Sequence, residues 1–413
     1  MDFLETGLTG VRISDPVRSS GRAPFESVMA ARSVQESRRA RPDYDRRLLE
    51  AYKFYRGVIG GDIPGYKLEE AMTVSDFPIL FGDILSRELL GGYASMPVSW
   101  PSYVRRATLS DATRQARRLA YDGIDDHMTA ANKAPDGTNG PEANAITETG
   151  YVVGPLDVYE RIVSINWKTI LADDLGAFRD IPGKLATAAR RTEEWLVAQL
   201  LCDASGPHAS FFTAGHANTL LTANGAASAQ PALSVQGLVD AMNVMARMTN
   251  AVTGEPIVVN GSTLVIPRQL EVQAQFVFNA VQIEMNKNGG DLTGLANTSG
   301  IETRLLMNNW ITNGLKFVVN PYLSSVNSTN GTTAWYVVAN PATNRPAFEL
   351  DFLQGEEAPI LLRMRPDAER VGGGAADMFG SFEGGEIRFK VMHPLATAQI
   401  DYHGAISSEG DGA

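Results

Sequence analysis

Cysteine is almost absent: Cys202 stands alone in 413 residues. One thiol forms no internal disulfide and no Cys-based zinc cluster, so nothing in the chain asks for an oxidising compartment. Histidine is scarce as well. His127, His208, His216, His393 and His403 fall into no HExxH or comparable ligand spacing. No apolar run approaches the ~18–20 residues that a membrane helix needs. The opening Met1-Asp2-Phe3-Leu4-Glu5 lacks the basic start and apolar stretch of a signal peptide. Positive charge is in deficit, with a formal net charge of -11, the wrong sign for gripping nucleic acid through its phosphates. These absences point to a soluble cytoplasmic protein with no membrane segment.

What is present is an ordinary apolar fraction, 44%, with 20% charged residues, enough for a sizeable packed core. The length allows two or three domains or one large elaborated unit. With 39 Gly and 21 Pro, many turns and irregular connections are expected. Charge is uneven: residues 1–58 hold 11 Lys and Arg against 8 Asp and Glu, a local excess of three positive charges in an acidic chain.

Residues 1–70 read as an arm with one or two helices. The stretch 33–41 is polar and helix-permissive, and Arg46-Arg47-Leu48-Leu49 follows it, a segment that needs something else to pack on. Apolar content rises over 73–100 and predicts a buried helix within the segment 71–111. Residues 112–165 predict a long projecting hairpin. Their middle is polar and rich in Gly and Pro, with Ile146 its one large aliphatic, while 151–165 is β-rich. The clearest helix is 180–202, with Asp180 as N-cap and Pro182 in the first turn. Leu185, Ala189, Thr192, Leu196 and Leu200 repeat at helical spacing, and Arg190, Arg191, Glu193 and Glu194 lie off that stripe. A second helix starts at Ser234 and carries Leu238, Met242, Met245 and Met248 on one face, a stripe that reads as core. Short strands are expected at 257–259, 264–266, 315–319 and 335–338, with a helix from Pro267 to about Asn286 between them. Near the end, Ile387, Phe389 and Val391 alternate with Arg388, Lys390 and Met392 as in a strand. The class is α+β.

No constellation carries strong catalytic chemistry. His208 and His216 share a loop-like stretch with no carboxylate between them, and reading them as loop pins outweighs reading them as metal ligands. Asp173-Asp174 and Asp125-Asp126 are adjacent pairs, and adjacent residues generally point apart where a catalytic dyad must converge. Gly372-Gly373-Gly374 lacks the Lys-Ser/Thr of a phosphate loop and reads as a turn or hinge. No catalytic, cofactor-binding or metal-ligating residue is assigned, and no cofactor is expected.

Several segments, in order, resemble the Mu-like major head subunit family of tailed bacteriophages. They are Tyr159-Glu160-Arg161, Asp173-Asp174-Leu175-Gly176-Ala177-Phe178 and the helix Ala186-Thr187-Ala188-Ala189-Arg190-Arg191-Thr192-Glu193. Phe211-Phe212 with His216-Ala217-Asn218 follows, with Ala217 where the family commonly has glycine. Then come Leu233-Ser234, Thr253-Gly254-Glu255-Pro256 and Leu264-Val265-Ile266-Pro267. Val319-Asn320-Pro321-Tyr322-Leu323, Trp335-Tyr336-Val337-Val338, Phe389-Lys390-Val391-Met392-His393 and Ile400-Asp401-Tyr402-His403-Gly404 complete the series. The resemblance covers about 150–404, and residues 1–100 match less well.

The resemblance implies a Hong Kong 97-type capsid fold. Its parts here would be an N-terminal arm (1–70), a segment leading into the peripheral domain (71–111) and an extended E-loop hairpin (112–165). A peripheral domain (166–235) would carry the spine helix 180–202, an axial domain would span 236–345, and strands in 346–413 would return to complete both domains. The implied function is a major capsid protein assembling with itself into hexamers and pentamers around double-stranded DNA. It would form the virion capsid in the host bacterial cytoplasm. Implied partners are further copies, the portal protein, a scaffold and decoration proteins, with only non-specific proximity to packaged DNA. With Met1 heading the chain, the scaffold is expected to be a separate protein. Some capsids of this fold crosslink an E-loop lysine. Lys133 is the sole lysine between Gly123 and Gly150, and no crosslink is expected of it. Two alternatives stand beside this reading: an encapsulin-like compartment shell, and a soluble hydrolase or binding protein built around His208 and His216.

Overall fold

The computed structural model describes residues 42–59, 62–63, 77–122, 147–166, 176–250, 254–279, 282–286, 304–308, 314–343, 345–364, 367, 371 and 381–411. Asp125-Asp126, His127, Lys133, Asp173-Asp174 and Gly372-Gly373-Gly374 lie outside the described residues. Along the chain run α1 (Pro42–Ile59), α2 (Phe77–Ser95), β1 (Arg105–Leu109), β2 (Ala116–Asp122), β3 (Thr147–Val153) and β4 (Asp157–Asn166). Helix α3 (Gly176–Leu201) leads into β5 (Cys202–Asp203) and β6 (Gly206–Pro207), then α4 (Val235–Ala246), β7 (Gly261–Ile266) and α5 (Glu271–Asn279). The remaining strands are β8 (Gln282–Asn286), β9 (Arg304–Asn308), β10 (Lys316–Val319), β11 (Trp335–Ala339), β12 (Phe348–Leu353), β13 (Ile360–Arg363), β14 (Glu386–Gln399) and β15 (Ala405–Ser408).

Two compact units emerge. The first takes Met1–Pro97, Asp157–Glu193 and Leu353–Leu395. In it, α1 buries Leu48, Ala51, Tyr52 and Tyr55, one helical stripe, and packs on α2. The segment Arg46-Arg47-Leu48-Leu49, which needs something else to pack on, lies on a helix that has α2 beside it. Strand β14 pairs antiparallel with β13 through Ile360↔Met392 to Arg363↔Phe389, and with β4 through Glu386↔Asn166 to Leu395↔Asp157. Ile387, Phe389 and Val391 are buried while Arg388 is exposed, the alternation read from sequence. Val391 packs with Leu89 and Tyr93 of α2 and Leu185, Ala186 and Ala189 of α3. A Cβ on Gly92 would meet the Ala186 methyl at 3.3 Å, so these two helices cross closely at that glycine.

Helix α3 starts at Gly176, earlier than the expected cap at Asp180. The helix runs on through Pro182, whose missing N–H removes one bond to the preceding turn while the ladder continues on either side. The extended stretch 151–165 is two strands divided at 154–156: β3 pairs with β2, and β4 pairs with β14 instead.

The second unit takes Val98–Leu156, Glu194–Phe352 and Ala396–Ala413. Its sheet has the order β10-β7-β11-β15, with β10 parallel to β7 and the other pairs antiparallel. Leu264, Val265 and Ile266 are all buried, as a central strand covered on both faces requires. Helix α4 is capped by Ser234, whose hydroxyl accepts from Gly237 N–H at 3.1 Å. Leu238, Met245 and Met248 are buried, and Met242 packs against the same cluster, so the methionine stripe is core. Trp335 fills that cluster and its Nε1–H donates to the Pro231 carbonyl at 3.0 Å. A Cβ on Gly237 would stand 3.2 Å from the indole, which is how α4 comes so near the tryptophan.

Two expectations fail in this unit. Residues 257–259 form no strand: Ile257 and Val259 anchor an irregular segment in the core while Val258 is 90% exposed. The helix expected over 267–286 ends at Asn279, because Gln282–Asn286 extends and pairs with β9. Local helix propensity yields there to strand pairing.

Candidate functional site

The features that stand out are surfaces and buried ionic ties. In the first unit the outer face of the β13–β14–β4 sheet sets apolar side chains among charged ones. Leu362 stands beside Lys390 and Ile162, Ile360 beside Met392 and Glu160, and Pro394 beside Val158. Ile162 is 60% exposed, and Val158 and Leu362 are exposed as well. Lys390 Nζ bonds Glu160 Oε1 at 2.8 Å within that face. Apolar side chains left exposed around such an ion pair suit an interaction surface.

In the second unit, α5 carries apolar side chains on two faces, with Gln273 and Gln275 exposed as well. Ala274 is buried in the core cluster, yet Val272 and Phe276, four residues apart and so on one face, are 62% and 75% exposed. Exposed apolar side chains grouped on one helix face suit a contact surface. Replacing both exposed residues (Val272→Ser with Phe276→Ser) is expected to leave the unfolding midpoint within about 0.5 kcal/mol of the parent. Self-association should fall by at least tenfold, read by sedimentation.

Each unit is braced by buried charge. In the first, Glu193 is wholly buried and accepts from Tyr93 Oη at 2.5 Å, Arg190 Nη1 at 3.0 Å and His393 Nε2 at 3.2 Å. The Arg190 guanidinium lies 3.6 Å over the Tyr93 ring and also donates from Nε to the Tyr93 carbonyl. Burial alone would push the Glu193 carboxyl up. The His393 hydrogen bond, the Arg190 charge and the Tyr93 hydroxyl overcome it and hold the group below its ordinary value.

In the second unit, Glu349 and Asp351 of β12 are both fully buried. Arg105 Nε donates to Glu349 at 2.5 Å, and Arg118 bridges Glu349 and Asp351, the latter at 2.8 Å. Arg105 also donates to the Tyr151 hydroxyl at 2.7 Å. The cluster therefore ties β1, β2 and β3 to β12 and anchors the base of the β2–β3 ribbon. Burial and the neighbouring Glu349 charge push the Asp351 carboxyl up to about 7. The folded state then binds a proton that the unfolded chain releases, so stability falls as pH rises from the ordinary carboxylate range through about 7. Asp351→Asn should flatten that slope, checked by urea midpoints from about two pH units below the shifted value to about one above it.

The histidine stretch is a pinned loop. His208 Nδ1 bonds Ser210 Oγ at 2.9 Å, and His216 Nδ1 bonds the Phe211 carbonyl at 2.8 Å. The His216 ring stacks on Tyr402 at 4.2 Å, and His403 bonds Asp401 at 2.6 Å. Among the described residues, no group of three His, Cys, Asp or Glu is arranged to hold a metal, and no helix is long and apolar enough to cross a membrane. Cys202 is buried, and burial pushes its thiol up to about 12, away from thiolate reactivity.

Glu193, His393, Glu349 and Asp351 were not legible as a group. Their partners are far apart in sequence, and charges beside a helical stripe read as solvated.

Apolar surfaces carried on frames locked by internal ion pairs describe a structural subunit, one that acts through contact with other molecules. A family model for phage capsid proteins matches residues 147–408, more than half of the chain, and the chain belongs to that family. It is a capsid shell protein, a component of the virion that assembles with itself. No curated protein matches it significantly. Among solved structures, one from Mycobacterium phage Adephagia is 13% identical, covering 74% of this chain and 85% of that one, with a TM-score of 0.39. The procapsid of bacteriophage JBD30 is 12% identical over 81% of this chain and 75% of that one, with a TM-score of 0.36. An encapsulin complex from Synechococcus elongatus is 9% identical over 74% and 85%, with a TM-score of 0.41. Membership follows from the family match alone.

Proposed function

We propose that this chain is the major head subunit of a tailed phage, with the Hong Kong 97-type organisation that its sequence motifs imply. Copies form rings of five and six that close into an icosahedral shell around double-stranded DNA. The observation that carries the reading is the family match over 147–408. The exposed apolar faces in both units support it, because such faces suit a chain surrounded by its own kind. On this reading 1–70 is the N-terminal arm, 112–165 the E-loop, 166–235 the peripheral domain with its spine helix, 236–345 the axial domain, and 346–413 the returning strands. Assembly takes place in the host bacterial cytoplasm with a separate scaffold, and portal and decoration proteins complete the particle. The net charge of -11 suits a wall over which packaged DNA slides without adhering. The role is structural, with no catalytic step, and Lys133 forms no crosslink. A subunit ladder on a denaturing gel would overturn that last point.

Many weak contacts sum over a closed lattice. At ~25 cal/mol per Å² each interface is modest, and a misplaced subunit leaves before the shell closes. The reading is tested by electron microscopy of protein co-expressed with a candidate scaffold. Class averages with five- and six-fold rings are expected, and particles of a single other symmetry would contradict it.

A further inference from the structure

Strand β4 is ten residues long, pairs with β14 on one side through an unbroken register, and has no strand on its other side among the described residues. Long open edges are normally blunted by lysine, proline, a bulge or brevity. The sequence Asp157-Val158-Tyr159-Glu160-Arg161-Ile162-Val163-Ser164-Ile165 has no lysine, proline or glycine, and its pairing has no bulge. Its outward backbone groups, between Asp157 and Ile165, bond no described residue. Val158 and Ile162 are exposed along it, at 49% and 60%. A lone soluble protein with such an edge would aggregate, and a protein that must meet its own copies can use it.

We infer that the open edge of β4 is completed by an extended strand of a second copy of this chain, extending the β13–β14–β4 sheet across the subunit boundary. Alternate β4 residues would then donate and accept main-chain hydrogen bonds, and Val158 and Ile162 would be covered by the incoming strand. The inference rests on the shell reading, and it specifies which strand makes the contact and in what manner.

Two measurements on the full chain test it. Residue-resolved hydrogen exchange compares assembled shells with dissociated subunits, both checked by electron microscopy. The β4 amides that do not bond β14 are expected to slow by about tenfold or more on assembly. Shells whose outward β4 amides exchange as fast as in free subunits would overturn the inference while leaving the shell reading intact. Absence of any shell would instead sink the shell reading. The second measurement separates pairing from mere covering. Glu160→Pro and Arg161→Pro remove adjacent N–H groups, one facing β14 and the other facing outward. The outward variant should fold like the parent and fail to close shells. If both variants fold and assemble normally, strand pairing at this edge is wrong. If neither folds, the exchange measurement decides alone.

Discussion

Trp335→Ala is expected to destabilise the second unit by about 3–5 kcal/mol, a large part of the stability of an ordinary domain. Three losses add together. The indole is wholly buried in the cluster formed by α4, β7 and β11, so its removal leaves a cavity lined by Leu238, Leu264 and their neighbours. The Pro231 carbonyl loses the Nε1–H that it accepts at 3.0 Å. The close approach of α4 at Gly237, made to fit the ring at 3.2 Å, becomes a void that the rigid helix does not collapse into. Trp335→Phe keeps most of the apolar area and forfeits the hydrogen bond, so it should cost roughly 1–2 kcal/mol. Urea unfolding followed by circular dichroism checks both without depending on the tryptophan that is replaced. Equal midpoints for the alanine and phenylalanine variants would show that the cavity is not the dominant cost.

Glu193→Ala is expected to cost a similar amount, about 3–5 kcal/mol, for a different reason. Here nothing large leaves the core. The side chain removed is the common acceptor of Tyr93, Arg190 and His393, and its loss strands polar groups that have little access to water. Those residues sit on α2, α3 and β14, so the carboxylate is what fastens the helix pair to the sheet in the first unit. Glu193→Gln keeps the shape and one acceptor, and should cost roughly half as much, about 1.5–2.5 kcal/mol. The pH dependence separates charge from shape. The folded-state group sits below its ordinary value, so its contribution is fully present at neutral pH and is lost as pH falls through that lowered value. Acidification should therefore narrow the gap between the parent and Glu193→Gln. A gap that stays constant from neutral pH down to about pH 3 would mean that the carboxylate is not the ionic centre of the cluster.

Much of the fold was legible in the chain because local rules and tertiary packing agree there. The Ser234 cap and the Leu238–Met245 stripe specify α4, and the alternation through Ile387, Phe389 and Val391 specifies β14. Trp335–Val338 and Leu264–Ile266 read as short strands and are, both buried. The misreadings fall where distant partners decide. Gln282–Asn286 extends only because Arg304–Asn308 lies beside it, and β4 leaves β3 for a strand more than 200 residues away in sequence. Residues 257–259 have strand composition, yet Ile257 and Val259 are drawn into the core along an irregular path, with Ile257 N–H donating to the Met248 carbonyl. Glu193 and Glu194 sit beside an apolar stripe, where charges usually meet solvent. Their burial depends on Tyr93 and His393 for Glu193 and on Ser99 for Glu194, none of which a helical period can indicate. The interaction surfaces were legible only in part. Val158, Ile162, Val272 and Phe276 look like ordinary core residues until the fold leaves them outside.

The central claim is that the chain acts by assembling with itself. Sedimentation velocity on the purified full-length protein, across a hundredfold range of concentration and with a candidate scaffold added, tests this most directly. The account predicts discrete fast-sedimenting species, rings and closed shells, growing at the expense of a subunit peak as concentration rises. A single 44.5 kDa species at every concentration, with scaffold present, would contradict it.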